Sequence, residues 1–117
     1  MTITPQQIID GMAEKNRQLT MKNDESVELS EKMADAERSF SKALARKMIE
    51  LKIDGQNITL IEKIAKGDDT VADLKYAHDV SVGVYKAYLN RIKALIVQID
   101  SYRSLLAWQK AEMLRSE

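Results

Sequence analysis

Cysteine is missing from this 117-residue chain, and with it go disulfides, thiolate zinc sites and cysteine nucleophiles. Histidine occurs once, and aromatic residues are few: one Trp, one Phe and four Tyr. The lone His78 has no Ser or Cys at a suggestive spacing, so it reads as a partly buried helix-interface residue rather than a general base or metal ligand. The four glycines are isolated and form neither a phosphate loop nor a dinucleotide fingerprint. Gly67-Asp68-Asp69 reads as a glycine stop followed by capping carboxylates, not as a metal-binding turn. Apolar runs such as Ala94-Leu95-Ile96-Val97 are far too short to cross a bilayer, and Met1 to Pro5 lacks the basic-then-apolar order of a leader. These absences point to a non-enzymatic cytoplasmic protein with no cofactor, no metal, no membrane contact and no small-molecule substrate.

One-sided charge is absent too, since 18 basic residues balance 18 acidic ones. The overall basic field of many nucleic-acid binders is therefore lacking, and any such binding needs a local stripe. The balance is uneven along the chain. Residues 1–37 carry 4 basic and 8 acidic side chains, residues 38–67 carry 7 and 3, and residues 68–117 carry 7 of each.

What is present is helical periodicity. With 44% apolar and 31% charged residues, the chain suits one folded all-α domain with a modest core. Residues 1–23 predict an N-terminal helix, with Thr4 as cap, Pro5 at the first position and Ile8, Ile9 and Met12 on one side. The polar stretch Lys22 to Ser26 is either a break or kink, with Asp24 or Ser26 as the next cap, or the exposed surface of a continuing helix; the break is the favoured reading. Residues 26–53 predict a long helix, because Leu29, Met33, Ala36, Phe40, Leu44, Met48 and Leu51 recur at spacings of three and four. Gly55 is placed to end it in the left-handed conformation. Residues 54–69 predict a connector whose short helix starts at a Thr59–Glu62 capping box and stops at Gly67.

Residues 70–117 predict a second long helix carrying a heptad grid. Leu74, Ser81, Tyr88, Leu95, Tyr102 and Gln109 fill one seam position, and His78, Tyr85, Ile92, Ile99, Leu106 and Met113 the other. Gly83 within it suggests a kink or a close helix crossing. The expected architecture is a long antiparallel helical hairpin with a short connector helix and an N-terminal helix that packs in cis or swaps to a neighbour. A helix this long implies an elongated molecule, a coiled-coil-like homo-oligomer, or both. Candidate interface residues are Tyr88, Leu95, Ile99, Tyr102, Leu106 and Trp108, the last within an apolar patch that suits either a partner or the hairpin core.

Arg38, Lys42 and Arg46 stand four apart on the side of their helix away from Phe40, Leu44 and Met48, with Lys47 beside them. Lys63 and Lys66 on the connector could extend this basic face toward phosphates, and Arg91 and Lys93 are further candidates. The competing reading is a solvated face, since Glu28, Glu31 and Asp35 precede the cations in the order the helix dipole favours.

The stretch from Ala45 to Asp68, followed by Val71 to Lys75 and Tyr85 to Ala87, resembles small helical proteins of phage and prophage replication and recombination modules. In layout, roughly from residue 35 to 113, the chain is similar to UvsY-type recombination mediators: a basic helical segment, a connector with a short helix, then a long assembly helix. The resemblance implies an oligomer that binds single-stranded DNA in the host cytoplasm and helps to load a recombinase, a phage or host recombination or replication protein. Arg38, Lys42, Arg46, Lys47, Lys63 and Lys66 would then touch phosphate. The alternative is a coiled-coil adaptor or structural protein that holds a protein partner through its seam and the Trp108 patch, without nucleic acid.

Overall fold

The computed structural model describes residues 3–116. The fold is all-α, with helices α1 (Pro5–Ile53), α2 (Ile58–Gly67) and α3 (Asp69–Ser116) and no strand among the described residues. The chain divides into two compact units: Val27–Lys86 forms one, and the residues up to Ser26 together with those from Ala87 onward form the other.

Local chemistry sets the helix ends. Thr4 and Gln7 cap α1 reciprocally, Thr4 Oγ1 accepting from the Gln7 amide at 3.2 Å and Gln7 Oε1 from the Thr4 amide at 2.8 Å. At the far end Gly55 adopts φ 85°, which lets the amides of Gly55 and Gln56 return to the carbonyls of Lys52 and Leu51. The cap of α2 is Asn57, whose side chain accepts from the Thr59 amide. The expected Thr59–Glu62 box does not form, because α2 already begins at Ile58 and Thr59 lies inside its first turn. Asp68 starts α3, its carboxylate accepting from the Val71 amide at 3.2 Å.

In the Val27–Lys86 unit, the later part of α1 pairs antiparallel with the start of α3, and α2 closes the end. Leu51, Ile61 and Ala65 form its buried cluster, with Leu44 and Met48 packed against it. Val71 is fully buried, and the Phe40 and His78 rings stack with centroids 6.4 Å apart. In the other unit, the start of α1 packs on the end of α3 around buried Ile8, Tyr88, Leu95 and Ile99. Gln109 Nε2 donates to the Ile3 carbonyl at 2.6 Å, so the N-terminal segment packs in cis.

Two further expectations are corrected. The helix runs unbroken through Lys22–Ser26, because the seven-residue grid of half-buried positions continues through Lys15, Lys22 and Leu29 and through Met12, Leu19, Ser26 and Met33. Polar residues hold the seam there without shifting its register. Gly83 marks no close crossing, since nothing lies within 4 Å of where its Cβ would be; the tight approach is at Gly11, against Tyr102.

Candidate nucleic-acid interface

The grid on α3 is filled from within the chain except at Met113, which is 61% exposed. Val71, Leu74, His78, Ser81 and Tyr85 in one unit, and Tyr88, Ile92, Leu95, Ile99, Tyr102, Leu106 and Gln109 in the other, are all buried or half-buried. The interface candidates Tyr88, Leu95 and Ile99 are buried within the chain against α1, and Tyr102 and Leu106 are half-buried. Periodicity demands a partner helix but does not say whether that helix is covalently attached. Trp108 is the one of the six that stays open, at 61% exposure.

The basic stripe is only partly free. Arg38, Lys42 and Arg46 are exposed as their spacing predicts, but Arg38 is paired with Asp35 at 3.1 Å. Lys47 lies off the stripe, half-buried, and reaches Asp68 at 3.6 Å and Glu50 at 3.8 Å, where it ties α1 to the start of α3. Lys66 is held by Glu62 at 2.9 Å, and that hydrogen bond lowers the Glu62 pKa. Lys42, Arg46 and Lys63 are exposed and make no ion pair among the described residues. Three of the six candidates therefore have their charge answered within the chain.

A second basic locus comes from residues far apart in sequence. Lys15, Lys22 and Arg91 converge on a groove of about 250 Å³ between α1 and α3, with Gln18, Leu95 and Gln98 among its other walls. None of these three cations is ion-paired among the described residues. Lys15 and Lys22 stand seven apart on the α1 seam, where an apolar side chain would pack better. Lys15 and Gln98 also line an adjoining groove of about 350 Å³ with Ser101, Tyr102 and Leu105, which brings an aromatic ring to its wall. Spacing alone does not single out Lys15 and Lys22, because their contribution depends on α3 supplying Arg91 across the groove. The signal available in the sequence was the lysine pair at heptad spacing on an otherwise apolar seam.

Tyr88 is buried beside the groove, against Lys22. The Lys22 ammonium lies 4.9 Å from its ring centroid, and its phenol donates to the Glu25 carboxylate. Burial, then the carboxylate acceptor, pushes the Tyr88 pKa up to about 12. Nearby, hydrogen bonds from Arg17 and Gln18 hold the Glu14 carboxyl at about 2. Glu14 is thus hydrogen-bonded to Arg17 and Gln18, and the charge of the neighbouring Lys15 helps to lower its pKa as well.

Among the described residues no three His, Cys, Asp or Glu side chains gather as a metal site, and no helix is long and apolar enough to cross a membrane. Compared with known proteins, the chain matches no family model, no curated protein and no solved structure.

Proposed function

We propose that this is a non-enzymatic accessory protein that binds single-stranded DNA, and that the Lys15–Lys22–Arg91 groove is its primary contact. The observation that carries the reading is the convergence of three cations without carboxylate partners on one groove whose continuation is walled by Tyr102. Phosphates along a strand would supply the ion-pair partners these cations lack, and an unstacked base would lie against the wall that Tyr102 helps to form. The exposed Lys42 and Arg46 give a second, weaker contact at the other unit. In keeping with the likeness to UvsY-type mediators, the partner process is recombination or replication in a phage-infected or lysogenic cell.

The test is fluorescence anisotropy of a labelled single-stranded oligonucleotide across a salt series. Replacing Lys15, Lys22 and Arg91 together by Gln is expected to abolish binding at low salt while circular dichroism stays helical. Binding that is insensitive to salt, or untouched by the triple replacement, overturns the assignment.

A second reading, a protein-binding adaptor, is favoured by a separate observation: large apolar side chains including Trp108, Met113 and Leu114 are more than half exposed. Loss of partner capture on Trp108→Ala, with no DNA affinity in the native protein, would select it.

A further inference from the structure

Glu25 is a carboxylate that does not answer the cation beside it. It lines an open groove of about 260 Å³ with Arg17, Gln18, Met21 and Lys22, and Gln18 and Lys22 also line the groove of Lys15 and Arg91. Residues three and four apart on a helix are neighbours, and the one cation at such a spacing from Glu25 is Lys22. Elsewhere in the chain this spacing produces ion pairs. Lys47 and Glu50, also three apart with the cation first, lie 3.8 Å apart, and Asp35 and Glu62 hold Arg38 and Lys66. Lys22 and Glu25 form no such pair.

The difference lies in Tyr88. Its buried phenol donates to the Glu25 carboxylate, while the Lys22 ammonium lies 4.9 Å from its ring centroid. One side chain thus engages the anion through its oxygen and the cation through its ring, and keeps the two from meeting. A buried hydroxyl is costly without an acceptor, which ties Glu25 to this position. Arg91 follows Tyr88 by one turn of α3. Burial and the Glu25 acceptor raise the Tyr88 pKa and the Arg91 charge opposes that rise, so Arg91 also acts on this corner. Without the phenol oxygen, the cations at hand for Glu25 are Lys22 and Arg91, two of the three that converge on the groove. We infer that Tyr88 is a positioning residue, which withholds the Glu25 carboxylate from Lys22 and Arg91 and so keeps both open to an external anion. Glu25 keeps its charge, but the direct contact that a phosphate would have to displace is prevented. The inference deepens the single-stranded DNA reading and rests on it for the identity of that anion.

Two measurements on the full chain test it. One is fluorescence anisotropy of a labelled oligothymidylate; the other is the rate at which an N-hydroxysuccinimide ester acylates Lys22, read by mass spectrometry against exposed Lys42 as reference. Tyr88→Phe is expected to slow acylation of Lys22 by ~2–5-fold, the range of a part-exposed ion pair, because a contacting carboxylate favours the charged, unreactive amine. It should also weaken strand binding by ~3-fold and shrink the slope of log K against log salt by ~0.7, as the loss of one phosphate contact does. Adding Glu25→Gln should restore all three, since a neutral amide leaves the cations unpaired, with helicity unchanged in circular dichroism throughout. Acylation of Lys22 that Tyr88→Phe leaves unchanged overturns the inference. An affinity that Tyr88→Phe leaves unchanged overturns it as well, and so does a loss of affinity that Glu25→Gln fails to restore, which would make Tyr88 a packing residue alone. If the native protein binds no strand even at low salt, the DNA reading fails, while the acylation rates still decide whether Tyr88 withholds Glu25.

Discussion

The Tyr102 ring lies against the backbone of Gly11 so closely that a Cβ there would stand 2.7 Å from Cζ and 2.9 Å from Oη. Glycine inside a helix costs about 1 kcal/mol relative to alanine, so replacing it normally stabilises. Here the added methyl must displace the ring, a form of overpacking that costs about 1–3 kcal/mol. Gly83 faces open space and supplies the internal control. Gly83→Ala is expected to raise stability by about 1 kcal/mol and Gly11→Ala to leave it unchanged or lower it, both read by urea denaturation. Equal gains at the two sites would mean that contact with Tyr102 is not why glycine occupies position 11.

Tyr88 gives the fold an alkaline limit. Its pKa is raised from 10.0 to about 12 by burial and by its hydrogen bond to Glu25. Because the folded state holds this proton more tightly, the associated stability is fully present below pH 10 and is lost as pH climbs toward 12. The expected outcome is a downward slope of unfolding free energy across that window that Tyr88→Phe flattens, measured by denaturation at stepped pH. An unchanged slope in Tyr88→Phe would assign the alkaline loss to other groups.

Much of this fold could be read from spacing, and the limits of that reading have physical causes. The stripe from Leu29 to Leu51, the left-handed Gly55 and the seam from Leu74 to Gln109 are local patterns, and the structure carries them as expected. The break expected near Lys22–Ser26 rests on a run of five polar residues, but only Lys22 and Ser26 of that run fall on the seam, and a lysine there can pack its stem along it, as Lys22 does over Tyr88. Choosing between Gly11 and Gly83 as the point of close approach needs the identity of the residue opposite, which no single-helix pattern contains. The same holds for the candidate interface: Arg38, Lys42 and Arg46 follow from one helix, but the groove of Lys15, Lys22 and Arg91 exists only once two distant segments pair.

Asp68 performs two tasks that substitutions can separate. Its carboxylate caps α3 through the Val71 amide and also lies 3.6 Å from Lys47. Asp68→Asn keeps the cap and removes the charge, so only the part-exposed ion pair is lost, worth at most ~1 kcal/mol. Asp68→Ala removes both and should cost about 1–2 kcal/mol, most of it from the cap. Thermal denaturation in low and high salt distinguishes them: the Asn variant should converge on the native protein as salt screens the pair, and the Ala variant should not.

Lys15 offers the sharpest test of whether the groove exists for binding or merely for packing. A lysine on a heptad seam sacrifices apolar contact that methionine of similar length would make, and such sacrifices are expected where a residue serves a ligand. If Lys15 is there for phosphate, Lys15→Met should move two properties in opposite directions: stability should rise, by up to ~1 kcal/mol for the added apolar burial, and single-strand affinity should fall. The slope of log K against log salt should also shrink by ~0.7, the share of one phosphate contact on single-stranded nucleic acid. Lys42→Met on the exposed face of α1 should reduce affinity less, with no gain in stability, because that side chain has no seam to fill. Should Lys15→Met stabilise the protein yet leave both affinity and salt slope intact, the lysine would be a tolerated imperfection of the seam and the strand would have to lie on the Arg38–Lys42–Arg46 face instead.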